Sequence, residues 1–171
     1  MRSPGMATRL IAVLSLLLAA LPATAQPRGE PESRAMAGML AAHNAARHDA
    51  GVPPLGWSGA LAASAQRWAD TLRGRGCSLR HSGAAGVGEN LAWASGQSLS
   101  PAQVVAMWVG ERRAFNAARN TCAPGAVCGH YTQVVWRDTK QVGCGLASCG
   151  SSEIWVCQYA PPGNVVGQRP F

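Results

Sequence analysis

No Cys-x-x-Cys pair occurs in this chain of 171 residues, although it holds six cysteines. Zinc ribbons and dithiol redox motifs are built on that spacing, so neither is expected. His-Glu-x-x-His and Gly-x-Ser-x-Gly are also missing, which removes two familiar hydrolase signatures. Basic residues outnumber acidic ones, 15 to 8, but they are scattered and nearly all arginine. No basic run with interleaved aromatics appears, so nucleic acid is not an expected partner. There is no internal repeat. After the first 25 residues, no apolar stretch is long enough to cross a bilayer.

The amino-terminal stretch reads as a targeting segment. Arg2 and Arg9 supply positive charge, residues 10–21 form an apolar run, and Ala23-Thr24-Ala25 offers a small-residue cleavage site. The run is short for a membrane span and no stop-transfer charge cluster follows. The expected organisation is therefore a signal peptide over 1–25, a flexible leader over 26–32 and one domain over 33–171, with no transmembrane anchor. Arg2 and Arg9 carry two of the formal charge of +7, leaving +5 on the remainder. That charge is compatible with attraction to acidic cell-surface polymers.

Cys77, Cys122, Cys128, Cys144, Cys149 and Cys157 all follow the targeting segment. An even number there implies three disulfides in an oxidising compartment, extracellular or periplasmic. Fifteen connectivities are open to six cysteines. A free nucleophilic cysteine is not expected.

Ser33 can cap a helix that reaches about Ala50 and stops at Gly51. Met36, Leu40, His43 and Arg47 share one face of it. Ser58 can cap a second helix with Leu61, Ala65, Trp68 and Leu72 in a stripe. Residues 77–81 read as extended and 82–88 as a glycine-rich loop. Ser100-Pro101-Ala102-Gln103 is a helix start with a capping box. Val104, Trp108, Glu111 and Phe115 fall on one stripe of that helix. Residues 120–129 form a loop. Residues 132–136 are β-branched and aromatic and predict a buried strand, followed by strands over 142–147 and 153–159. Residues 161–171 are extended. The pattern predicts an α+β fold with helices on a small antiparallel sheet.

Four residues stand out chemically. His130 sits at the mouth of the apolar run, where a rigid element would fix its orientation for a ligand or a proton. The bland alternative is a satisfied structural histidine. Glu111 places a carboxylate on an apolar stripe and needs a partner. That partner is either an arginine such as Arg47, or a histidine or a metal-bound water. Glu89 lies in Gly88-Glu89-Asn90-Leu91, before an apolar turn, where placement at a helix N-terminus would explain it equally well. His81 ends the extended stretch; the adjacent Ser82 reads as a loop serine. Two imidazoles with two carboxylates suit a divalent cation, the acids orienting the rings or a bound water.

The ordered motifs resemble one family. They are His43-Asn44-Ala45-Ala46-Arg47, Gly51-Val52-Pro53-Pro54-Leu55, Gly88-Glu89-Asn90-Leu91 and Gly129-His130-Tyr131-Thr132-Gln133-Val134-Val135-Trp136. Val142-Gly143-Cys144, Cys157-Gln158-Tyr159 and Pro162-Gly163-Asn164 follow. The chain resembles the CAP superfamily of cysteine-rich secretory, antigen 5 and pathogenesis-related class one proteins, and its plant-type branch most. The resemblance implies a three-layer α-β-α sandwich and a monomer. It implies a central cleft of His81, Glu89, Glu111 and His130, the two histidines able to hold a divalent metal such as zinc. It implies disulfides Cys77–Cys144, Cys122–Cys128 and Cys149–Cys157, the first closing a loop worth about 4 kcal/mol. A lipid or sterol ligand is also implied, tied in the family to an aromatic-rich loop before the Gly-His motif. Residues 119–127 of this chain contain no aromatic residue. In plant-type members a peptide starting at Pro-x-Gly-Asn can be released, and residues 161–171 resemble it; a buried or tethered tail is the alternative.

Two functional expectations follow. One is a secreted, non-enzymatic binding or signalling module with a lipid, metal, or cell-envelope or extracellular partner. The other is a hydrolase at the cell envelope, with Glu89 and Glu111 as candidate catalytic carboxylates and His81 and His130 as metal ligands.

Overall fold

The computed structural model describes Met1 and residues 31–171. The targeting segment and most of the leader expected over 1–32 lie outside the described residues. Helix α1 spans Met39–Asp49, strand β1 Gly56–Trp57, helix α2 Gly59–Gly74 and strand β2 Gly88–Ser95. Helix α3 spans Pro101–Val109 and continues into a 3-10 turn over Gly110–Ala114. A short ladder pairs β3, Phe115–Asn116, with β4, Thr121–Cys122. Helix α4 covers Gly129–Val134, and β5, Gln141–Cys149, and β6, Ser152–Ala160, complete the order.

The main sheet runs β1-β5-β6-β2. Only β1 with β5 is parallel; the other pairs are antiparallel. Alternation along the strands sends residues to two layers. Cys144, Trp155, Cys157 and Tyr159 face the layer of α1, α3 and α4. Leu91, Ala147, Ile154 and Val156 face Ala65, Ala69 and Leu72 of α2. The chain is thus an α-β-α sandwich. Helix α2 approaches the sheet closely at Gly143 and Gly145. A Cβ there would lie 2.2 Å from the Ala62 amide nitrogen and 2.4 Å from the Gln66 Cα, so α2 lies directly on β5.

Local signals worked where capping chemistry set them. Ser58 accepts from the Leu61 amide, and Ser100 with Gln103 forms the expected capping box. The first helix begins later than expected. Residues 34–36 form a 3-10 turn, Gly38 is left-handed at φ 92°, and Ser33 makes no cap. Glu32 takes that role, its carboxylate accepting from the Gly38 and Leu40 amides at 3.1 and 2.6 Å. Residues 77–81 are irregular, and the strand instead runs through Glu89.

Two corrections carry physical lessons. The strand expected over 132–136 is helix α4 and the turn that follows it. Tyr131 through Trp136 are all buried, so their apolar character reflects burial on every side, which does not separate helix from strand. Thr132 Oγ1 lies one turn on from the Cys128 carbonyl, 3.1 Å away, a contact that helical backbone offers a β-branched hydroxyl. The second correction is to the disulfides: Cys77 bonds Cys149 and Cys144 bonds Cys157, while Cys122–Cys128 is as expected. Cys144 and Cys157 are opposed across β5 and β6 with Cα atoms 4.1 Å apart, on the α1 face. Cys77 follows α2 on the other face, where Cys149 also points. A Cys77–Cys144 bond would have to pass through the sheet.

Arg47 is fully buried on α1 and, among the described residues, meets no carboxylate. Its Nε donates to the Pro53 carbonyl at 2.7 Å, and Nη1 to those of Val134 and Trp136 at 2.9 and 2.8 Å. Nη2 donates to the Arg137 and Thr139 carbonyls. Burial and the nearby Arg137 charge pull its pKa down to about 10, the first being the larger effect and the Tyr159 hydroxyl opposing both. It is still a cation at neutral pH. All five guanidinium hydrogens are used, a geometry an ammonium cannot copy. Arg47→Met should therefore lower unfolding free energy by roughly 3–5 kcal/mol, and Arg47→Lys by less, as read from urea midpoints. Wild-type stability in either variant would contradict this assignment.

Candidate functional site

The two histidines and two glutamates form two carboxylate–imidazole pairs around the start of edge strand β2. Glu89 faces the α2 layer, and its side chain is only 6 % exposed. Its Oε1 accepts from His81 Nδ1 at 2.9 Å and from the Ser82 amide at 2.8 Å. Its Oε2 accepts from Gln158 Nε2 at 3.0 Å, directly across the β2–β6 register. Burial raises the Glu89 pKa, but the hydrogen bonds from Gln158, Ser82 and His81 together outweigh it and hold the carboxyl below its ordinary value. Glu89 is ionised at neutral pH and orients His81, whose ring is 64 % exposed. It is unsuited to the proton-donor role that a two-carboxylate glycosidase requires.

The second pair sits in the opposite layer. Glu111 lies in the 3-10 turn after α3. Oε1 accepts from His130 Nδ1 at 2.6 Å, and Oε2 accepts from the His130 and Tyr131 amides at 3.0 and 3.2 Å. One carboxylate thus caps the first turn of α4 and fixes the ring of its second residue. The alternative pairing of Glu111 with Arg47 is not formed. Trp108 of α3 stacks on His130, the centroids 6.3 Å apart and the planes 17° from parallel.

In both pairs Nδ1 faces a carboxylate oxygen, so Nδ1 carries the hydrogen and the Nε2 lone pair is free. Among the described residues, neither Nε2 has a hydrogen bond. Also among them, no group of three or more His, Cys, Asp or Glu side chains converges on one point. What each pair presents is a single imidazole steered through Nδ1 by an acid. The hollow beside residues 119–127 is about 290 Å³ and is lined by Phe115, Thr132, Trp136, Asn164 and Val165 among others. That is at the lower limit of small-molecule pockets.

No local signal announces the hydrogen-bond chain behind His130. Asn90, next to Glu89 but facing the other layer, donates from Nδ2 to the His130 carbonyl at 3.1 Å and to the Tyr159 hydroxyl at 3.2 Å. Tyr159 donates to His43 Nε2 at 2.9 Å, because His43 Nδ1 already donates to the Met39 carbonyl at 2.8 Å. All three side chains are buried. They lie in motifs visible in the sequence, but only the β2–β6 register and the packing of α1 bring them together. The carboxyl-terminal segment is tied to the same helix: Thr132 Oγ1 donates to Asn164 Oδ1 at 2.7 Å and the Gly163 amide to Gln133 Oε1 at 2.9 Å. Phe171 packs edge-on to Phe115 and Tyr131.

Burial is the main reason the His43 pKa falls from 6.5 to about 4; Arg47 pushes the same way, against the Met39 carbonyl. The folded protein resists a proton that the unfolded chain accepts. Stability from this residue is complete above pH 6.5 and is lost as pH falls toward 4, by about 3 kcal/mol. Unfolding midpoints should drop over that window in the wild type and less in His43→Gln. A flat wild-type profile would contradict the neutral, buried assignment.

Comparison with known proteins agrees with this fold and motif set. Residues 40–159 match the family model described as CAP, cysteine-rich secretory protein family. Pathogenesis-related protein 1C of Nicotiana tabacum is 50% identical over 133 residues, covering 77% of this chain and 78% of that protein. Pathogenesis-related protein 1 of Arabidopsis thaliana is 42% identical over 165 residues, covering 96% of each. Among solved structures, venom allergen-like protein 4 of Schistosoma mansoni superposes with a TM-score of 0.64 at 28% identity, covering 81% of this chain and 94% of that one. The chain belongs to the CAP family of cysteine-rich secretory proteins, in the branch of the plant pathogenesis-related class one proteins.

Proposed function

We propose that this protein is a secreted, non-enzymatic binding module whose two oriented imidazoles take a divalent cation such as zinc. The observation that carries the reading is the matched pairing: each Nδ1 is engaged by a carboxylate and each Nε2 is left as a free donor. Carboxylate-steered imidazoles are the usual surroundings of protein-bound zinc. His81 and His130 would be the ligands, with Glu89 and Glu111 fixing tautomer and direction. The cation would supply a charged point for a ligand of this cleft. With two protein ligands rather than three, affinity is modest. Three disulfides and the likeness to pathogenesis-related proteins support work outside the cell. Among the described residues, no helix is long and apolar enough to cross a membrane.

Isothermal calorimetry of the full domain with Zn²⁺ should show one site, absent from a His81→Ala/His130→Ala double variant and weakened in Glu111→Gln. Equal heats from the double variant and the wild type would end the metal reading.

A further inference from the structure

A second surface shares the β2 edge with the cleft but uses none of its residues. Positions 89, 91 and 93 turn to the α2 side in register with Gln158, Val156 and Ile154. Glu89 serves the cleft and Leu91 is buried, but Trp93 emerges 46 % exposed. Four residues along a strand separate Trp93 from Glu89 by about 13 Å. Trp93 borders an open groove of about 610 Å³ between the end of α2 and the β5–β6 turn. Arg73, Ser148 and Ser152 line it, and the Cys77–Cys149 bond joins its two sides covalently.

The surroundings are basic. Arg67, Arg73, Arg75 and Arg80 are all exposed, and Asp70 is the single acid over residues 67–81. Asp70 takes one contact from Arg73 Nη2, at 3.1 Å, while Arg75 lies over the Trp68 ring. Helix α2 ends here, so its carbonyls favour one or two cations. That does not account for Arg67, six residues before Arg73, for Arg80 beyond the turn, or for the exposed Trp93 indole.

We propose that this groove docks a uronic-acid polysaccharide. The Trp93 indole offers a flat apolar face to the C–H face of a sugar ring, held by a strand rather than a loop. The Ser148 and Ser152 hydroxyls can exchange hydrogen bonds with sugar hydroxyls. Arg73 supplies the planar donor pair that matches a carboxylate. A protein partner would call for a wider apolar patch; Trp93 and Leu79 are the only large exposed apolar side chains on this side of the described residues.

The full domain should be titrated calorimetrically with oligogalacturonate, in EDTA so that the metal reading has no bearing on the outcome. Wild type should bind it and ignore the fully methyl-esterified oligomer. Trp93→Ala should weaken binding about tenfold or more, with Trp93→Tyr restoring most of it. Arg73→Gln should weaken binding and flatten its salt dependence. Unchanged melting temperatures would show that the exposed substitutions leave the fold intact. Wild-type binding by Trp93→Ala, equal binding of the esterified oligomer, or no binding by the wild type would overturn the proposal.

Discussion

Helix α4 has only six residues, too few to persist by itself, yet it carries His130. It is held by opposite charges at its two ends. Glu111 accepts from the first amides, and Arg47 donates to carbonyls of the last turn and the turn beyond. Each charge complements the helix dipole at its own end. Because Arg47 stands on α1 and Glu111 follows α3, the orientation of α4 is set by two other helices. The rest of the site depends on this clamp. A displaced α4 would lose the His130–Glu111 contact, the Asn90 bond to the His130 carbonyl and the anchorage of residues 163–164 together.

The second imidazole is held differently. His81 rides on an irregular stretch, and only Glu89 and the adjacent Ser82 amide tie it to the sheet. Glu89 is itself fixed from across the ladder by Gln158. One ring is thus rigid and stacked, while the other is exposed and hangs from a buried acid.

Much of this was legible in the residues. Capping chemistry located α2 and α3, strands were expected within β5 and β6, and the awkward placement of Glu111 on an apolar stripe pointed to a partner. The residues marked out His81, Glu89, Glu111 and His130, but not their division into two pairs in opposite layers, which depends on which face of β2 each neighbour takes. The helical form of residues 129–134 was hidden by full burial. The disulfide pairing failed for a related reason: Cys77 and Cys144 lie on opposite sides of a sheet whose register no local signal specifies. Tyr159, Asn90 and His43 meet only after three distant segments have packed.

The central claim is that carboxylates hold both cleft imidazoles by Nδ1 and leave Nε2 free. Long-range proton–nitrogen NMR of the two rings at mildly alkaline pH reads this directly, with His81→Gln and His130→Gln assigning the signals. The account predicts a hydrogen on Nδ1 and a bare Nε2 for both His81 and His130, the His130 pattern persisting in Glu89→Gln and weakening in Glu111→Gln. The opposite tautomer on both rings, unaffected by either glutamate, would contradict it.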